Sequence, residues 1–314
     1  MATPPTPESL REAQHGLAGV AVRTPLLDLP GFHHPVRIKA EYLQPVRAFK
    51  IRGAWTALSR LDPATRARGI VTSSSGNHGY AVAWSANRLG TRAVIVMPEN
   101  TARIKQDNIR SVHGEVVLIG ATRGPEQQAH ADQLAEREGL VMIPPYDHHD
   151  VIAGQATCAM EILEDWPEVT AIVVPCGGGG LLAGTCLAVA LSGRAVRVVG
   201  VEPEQIPKLS RACAAGEPVT MDGGTSLADG MLTRAVGRLT WPIIAPTLHE
   251  VIGVSDDEIR AALRRLRDLE IRAEPSGATP VAALVSGKLV PSGPTAVIVS
   301  GGNVDPSRYT QLVD

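Results

Sequence analysis

Short Val- and Ile-rich runs alternate with stretches of helical periodicity along most of the chain. Residues 70–72 precede a helical pattern over 77–89. Residues 91–97 are followed by a helical 102–112, and 115–119 by 125–138, with 140–143 closing that series. Further on come strand-like 170–174, helical 181–191, strand-like 196–201, helical 255–269 and a last strand-like run, 295–299. Alternation of this kind with short links predicts parallel sheets, because each return to the same end of a sheet needs a crossover. Ser255-Asp256-Asp257-Glu258 ahead of an apolar-periodic run is a capping-box pattern that starts a helix at Asp256. No repeat of solenoid length is present.

Composition narrows the picture. A chain of 314 residues can bury a large core and is expected to form two lobes. Aromatic residues are only 3% of the chain, so aliphatic side chains must fill that core. A net charge of −2 gives no electrostatic reason for binding nucleic acid or an anionic membrane. Cys158, Cys176, Cys186 and Cys213 form no C-x-x-C pair, and the N-terminus is Pro-rich and then charged, without a signal-like apolar core. Both features point to the reducing cytoplasm. The uncharged run 169–193 has the length of a membrane span, but four consecutive glycines in its middle favour strand–turn–helix.

Four segments carry candidate chemistry. In Ala48-Phe49-Lys50-Ile51-Arg52-Gly53-Ala54, Lys50 alone would read as a solvated surface charge. As a nucleophile it would need desolvation, with Phe49 as a shield, Gly53 and Ala54 permitting close approach, and Arg52 as a nearby cation favouring the neutral amine. Gly177-Gly178-Gly179-Gly180 follows an apolar strand and opens a helix, where backbone N–H groups and the positive dipole end can cradle a phosphate. No Lys-Ser/Thr follows the glycines, which argues against a nucleotide P-loop, and no clear G-x-G-x-x-G fingerprint is present. Ser73-Ser74-Ser75-Gly76-Asn77-His78-Gly79 also joins a strand to a helix; it is either a plain N-cap or a ring of donors for a carboxylate. Ser300 ends the last strand, as a turn residue or as a neutral hydroxyl facing a ligand.

In this order the four segments resemble the fold-type II pyridoxal-phosphate enzymes, and within them the serine/threonine dehydratase and serine racemase family. Val151-Ile152-Ala153-Gly154-Gln155-Ala156-Thr157, Ser226-Leu227-Ala228-Asp229-Gly230 and Glu274-Pro275-Ser276-Gly277 extend the likeness over about residues 24–305. The resemblance implies an α/β fold of the tryptophan synthase β type, with two lobes that each hold a mostly parallel twisted sheet flanked by helices. Residues 1–68 and 147–314 would form a large cofactor-binding domain, and 69–146 a small, inserted, mobile one. Pyridoxal 5′-phosphate would be held as a Schiff base by Lys50, with Phe49 beside it. Gly177, Gly178, Gly179, Gly180 and Leu181 would take its phosphate, Asn77 its phenolic oxygen, and Ser300 its ring nitrogen. Ser74, Ser75, Asn77 and His78 would hold the substrate carboxylate, and Ser75 would lie opposite Lys50 as a second acid/base. Ala48 replaces the family's serine, which removes a minor phosphate contact.

A hydroxyl cannot hold the ring nitrogen protonated as a carboxylate can, so Ser300 favours loss of a β-hydroxyl over transamination. The expected activity is an L-threonine/L-serine dehydratase, an ammonia-lyase releasing a 2-oxo acid and ammonia. The alternatives are an amino-acid racemase, a 3-hydroxyaspartate dehydratase and, from another class, a non-catalytic small-molecule binding protein. With Ser300 near the last residue, these 314 residues leave no room for the regulatory domain of biosynthetic dehydratases, so a catabolic enzyme is expected. Homodimerisation is implied by the resemblance alone.

Several relatives bind a divalent cation through a Glu and an Asp six residues later. Here Glu202 is kept and Lys208 stands in the second place. The expectation is no metal, with the Lys208 ammonium in the ion's position paired to Glu202; the bland alternative points Lys208 to solvent. Asp147-His148-His149-Asp150 lacks metal-ligand spacing. Tyr42, Tyr146 and His78 are candidates for the pocket wall.

Overall fold

A computed structural model describes residues 4–120 and 124–314. The start of the expected large domain, residues 1–3, and residues 121–123 of the expected small one lie outside them. In chain order the strands are β1 (Leu26–Asp28), β2 (Val36–Lys39), β3 (Ile70–Ser73), β4 (Ala93–Pro98), β5 (Glu115–Ile119), β6 (Val141–Met142), β7 (Ala171–Pro175), β8 (Arg197–Pro203), β9 (Leu248–Val254) and β10 (Thr295–Ile298). One sheet has the order β1-β2-β10-β7-β8-β9, parallel except for β1. The other has the order β5-β4-β3-β6 and is parallel throughout.

Strand alternation sends neighbouring side chains into different cores. From β7, Ile172 and Val174 pack beneath helices His149–Asp165 and Gly180–Ser192, while Val173 packs beneath Asp256–Arg267 and Pro275–Val285. In the smaller sheet Ile70 and Ile95 meet helices Lys50–Ser59 and Asn77–Arg88, and Val71, Val94 and Val96 face Pro125–Glu138. Both faces of each sheet are therefore covered, which is why these strands read as continuous apolar runs.

Helix ends follow local chemistry. Ser255 accepts from Glu258 N and the Glu258 side chain accepts from Ser255 N, so the expected capping box is formed. Left-handed Gly139, Gly193 and Gly216 stop three helices, a conformation that costs glycine least. Several elements escaped the periodicity. β1 and β2 are short, and β2 interleaves Arg37 and Lys39 with its apolar residues. β9 alternates at the sheet edge with His249 and Glu250, and Pro275–Val285 hides behind Gly277 and Pro280. The run 169–193 is β7, a glycine turn and a helix; among the described residues no helix is long and apolar enough to cross a membrane.

Candidate active site

Lys50 opens the helix Lys50–Ser59, and close backbone packing sets its position. A Cβ on Gly53 would come within 2.8 Å of the Val151 carbonyl oxygen, and one on Gly154 would collide with the Arg52 carbonyl. The two helices thus cross at bare glycines, as the close-approach reading of Gly53 anticipates. Behind the crossing lies a buried network of four charges. Arg52 donates to Glu41 Oε1 and Oε2 at 2.8 Å each and to Glu161 Oε1 at 2.7 Å. Lys39 Nζ donates to Glu161 Oε2 and to Thr24 O, both at 2.6 Å.

This geometry corrects the expectation for Arg52. Its charge is turned away from Lys50 and matched by carboxylates. What lowers the Lys50 amine, to about 8, is burial. Its Nζ donates to Pro145 O at 2.6 Å and lies 5.1 Å from the centre of the Phe49 ring. Lys50 stays partly open on one side only, toward a cleft of about 490 Å³.

That cleft collects all four segments singled out from sequence, since Lys50, Ser73 to His78, Gly177 to Leu181 and Ser300 all line it. Gly179 has φ +94°, and a Cβ on Gly178 would run into the Tyr146 ring, so the turn must be bare. Gly237 N and Thr240 Oγ1 each donate to Gly178 O at 3.0 Å and hold the turn from behind. Asp147 in turn accepts from the N–H groups of Arg238, Leu239 and Thr240. Asp150 pairs with Arg60 at 2.6 Å, so both acids of the 147–150 segment have structural partners. The N–H groups of Gly177, Gly178 and Gly179 meet no acceptor among the described residues. Free donors at a helix N-terminus fit a phosphate.

Across the cleft, Ser74 Oγ accepts from Gly76 N at 3.3 Å and Gly79 N at 3.1 Å. Ser75 Oγ makes no hydrogen bond with a described residue. His78 Nε2 lies 3.0 Å from Ile143 O; burial, with Lys50 adding to it, pushes this histidine down to about 3. The ring is therefore neutral, with its one N–H committed to that carbonyl. Asn77 Nδ2 donates to Glu274 Oε1 at 2.6 Å, and its Oδ1 accepts from Asn303 Nδ2 at 2.9 Å. Ser300 is buried, and its hydroxyl is free of protein partners among the described residues. The Phe49 N to Ser300 O bond, 3.0 Å, ties its strand end to the lysine segment.

Tyr146 and His78 line the cleft, but Tyr42 does not: it packs against the core of the larger sheet. Asp229, in a segment that the resemblance places near the cofactor, lines the cleft, whereas sequence reasoning missed Lys105, Thr233, Arg234 and Glu274 as cleft residues. Glu274 had a signal, a carboxylate ahead of Pro275-Ser276-Gly277, but only the fold brings it to Asn77. Burial, with Asp229 adding to it, raises its carboxyl to about 7. Glu202 and Lys208 lie outside the cleft lining and are both fully buried, so Lys208 does not point to solvent. Its Nζ is 3.8 Å from Glu202 Oε2 and makes no hydrogen bond, while Glu202 accepts from Leu209 N, Ser210 N and Ser210 Oγ. No group of three or more His, Cys, Asp or Glu among the described residues could hold a metal ion.

A desolvated amine facing free N–H donors across an α/β cleft fits an enzyme that takes an aldehyde cofactor with a phosphate tail. The chain belongs to the pyridoxal-phosphate dependent enzymes, whose family model matches residues 18–301. It is 41% identical to the biosynthetic L-threonine dehydratase of Pasteurella multocida over 84% of this chain, but spans only 52% of that relative. It is 34% identical to the L-threonine ammonia-lyase of Thermotoga maritima, over 98% of this chain and 78% of that protein. The solved structure of maize serine racemase superimposes with a TM-score of 0.93 at 34% identity, covering 99% of this chain and 97% of that one.

Proposed function

We propose that the protein is an L-threonine/L-serine dehydratase, an ammonia-lyase of amino-acid catabolism. The observation that carries this reading is the Lys50 amine, lowered to about 8 by burial, in one cleft with the free N–H groups of the glycine turn and the unpaired Ser300 hydroxyl. Bound pyridoxal phosphate supplies an aldehyde for the amino group and a ring that draws electrons from Cα. Gly177 to Gly180 and Leu181 would hold its phosphate, Asn77 its phenolic oxygen and Ser300 its ring nitrogen. The N–H groups of Ser75, Asn77 and His78 and the hydroxyls of Ser74 and Ser75 orient the substrate carboxylate. His78, with its N–H on Ile143 O, shapes that pocket. Lys50 Nζ takes the Cα proton, and the β-hydroxyl leaves as water. The released enamine hydrolyses to a 2-oxo acid and ammonia.

Residues 69–146 act in this reading as a mobile lobe closing over 1–68 and 147–314, in a cytoplasmic homodimer. A second reading, an amino-acid racemase, is favoured by Ser75, whose unbonded hydroxyl lines the same cleft and could protonate Cα from the other face. The test is absorbance of the purified protein with pyridoxal phosphate, followed by L-threonine and L-serine with 2-oxo acid and D-isomer readouts. Lys50→Ala is expected to abolish the visible band and lower turnover by at least about 10³-fold. D-isomer as the main product would move the assignment to racemase. The fully buried Lys208, its Nζ 3.8 Å from Glu202 Oε2, also supports a cation-independent enzyme. Activity should survive exhaustive chelation, and restoration by Mg²⁺ would refute this.

A further inference from the structure

Glu274 is buried and lines the cleft, yet the proposed β-elimination gives it no task. It ends a chain of hydrogen bonds whose direction is fixed. Val46 O can only accept, so the Asn303 amide turns its Nδ2 to it, at 2.8 Å, and donates its second N–H to Asn77 Oδ1 at 2.9 Å. Asn77 therefore presents Nδ2 on its other side, where one N–H goes to Glu274 Oε1 at 2.6 Å. The second Nδ2 hydrogen is uncommitted among the described residues, and Asn77 lines the cleft. Gly301 leaves room for this contact, because a Cβ there would collide with Glu274 Oε1 and come within 3.1 Å of Asn77 Nδ2. Glu274 N donates to Gly301 O at 3.1 Å, which ties the carboxyl to the strand end that carries Ser300. Glu274 Oε2 accepts from no described residue and opens on the cleft.

An acceptor that merely held Asn77 in place need not be ionisable. Among the described residues no cation pairs directly with Glu274: Lys105 is matched by Asp229 at 2.5 Å, and Arg47 Nη2 donates to Gly302 O at 3.2 Å. Burial, with Asp229 adding to it, outweighs Lys105 and Arg47 and lifts the carboxyl to about 7. A glutamine would accept from Asn77 equally and avoid the cost of a buried charge. We propose that Glu274 is a positioning residue for the cofactor: through Asn77 it aims the uncommitted Nδ2 hydrogen at the phenolic oxygen, and by gaining or losing its proton it sets how readily that oxygen holds negative charge. This rests on the assignment of Asn77 to the phenolic oxygen and adds a residue to that contact. An ionised Glu274 takes up donor capacity of Nδ2 and repels negative charge beyond it; the protonated form relieves both effects.

The experiment follows the visible absorbance of the holoenzyme across a pH series, and the Kd of the apoprotein for pyridoxal phosphate, in wild type, Glu274→Gln, Glu274→Leu and Asn77→Ala. The wild-type band should change position or intensity with a midpoint at or above about 7, since the anionic cofactor adds to the effect of burial on Glu274. Glu274→Gln should abolish that midpoint and leave cofactor affinity close to wild type. Glu274→Leu should bind the cofactor about 2- to 10-fold more weakly, the loss of one hydrogen bond that fixes Asn77. A wild-type band without a midpoint, a midpoint that survives in Glu274→Gln, or wild-type affinity in Glu274→Leu overturns the proposal. Asn77→Ala tests the underlying assignment separately. A changed band there, with the midpoint intact in Glu274→Gln, refutes the role of Glu274 and leaves Asn77 in place. If Asn77→Ala keeps both the band and the affinity of wild type, the assignment of Asn77 to the phenolic oxygen fails and the proposal falls with it.

Discussion

Two sets of buried charges stand on either side of Lys50, and they behave in opposite ways. Behind its helix, Arg52, Lys39, Glu41 and Glu161 are all buried and each contacts an opposite charge. Burial alone would neutralise these groups, but their partners overcome it: Glu41 is held below the usual carboxylate range and Arg52 well above its own ordinary value. On the cleft side, opposite charges are few. There Lys50 falls to about 8, Glu274 rises to about 7 and His78 drops to about 3, all toward the neutral form. The same physics, desolvation, gives a fixed framework where it is compensated and exchangeable protons where it is not. A lysine that must be both precisely placed and readily deprotonated needs one environment on each side.

The contrast can be broken most severely from behind. Arg52→Met leaves two buried carboxylates with only Lys39, and should cost about 3–5 kcal/mol in urea unfolding, as for other buried pairs stripped of one partner. A loss below about 1 kcal/mol would show that the network adds no stability. Next comes Glu274→Gln. The Glu274 carboxyl, raised from 4.5 to about 7, binds its proton more tightly in the fold than in the unfolded chain. Wild-type stability from this group is therefore full below 4.5 and is lost as pH rises through about 7. Glutamine removes that slope and keeps an acceptor for Asn77, so the variant should gain on the order of 1–3 kcal/mol on wild type above neutrality, and little in acid. Parallel stability–pH curves would place Glu274 with the compensated set. The smallest effect is kinetic. Uptake of pyridoxal phosphate by the apoprotein, followed by absorbance across a pH series, should rise through a midpoint near 8 and level off above it, as the Lys50 amine becomes neutral. A midpoint only near the ordinary lysine value of 10.5 would mean the amine is solvated.

Legibility in the sequence divides along the same line. The glycine turn and the serine loop stood out because each is local, a strand–helix junction whose composition announces an anion or carboxylate site, and the lysine segment stood out beside them by its shielding Phe49 and small residues. The strands buried on both faces were plain for the same reason. What the sequence hid were features that exist only through distant partners. Lys39 breaks the apolar pattern of β2 because its ammonium is answered by Glu161, 122 positions away. Glu274 stood only in a segment that extends the family likeness until the fold set it against Asn77, 197 positions away. Arg52 was misread because its neighbours in sequence are not its neighbours in space. Lys208 was expected beside Glu202 from the six-residue spacing, and its Nζ lies 3.8 Å from Glu202 Oε2 without a hydrogen bond.

The place of β10 bears on how the molecule is made. It is the last described strand in sequence yet lies between β2 and β7, so the larger sheet has a gap at its centre until residues 295–298 have left the ribosome. Until then β2 and β7 expose hydrogen-bonding edges and apolar faces, the kind of surface that recruits chaperones and seeds aggregation. The smaller sheet, built from strands between Ile70 and Met142, is complete much earlier during synthesis. Because Ser300 sits just past β10, the arrival of this one strand seals the sheet and delivers a cleft residue together, so a chain that has not finished folding has no complete cleft.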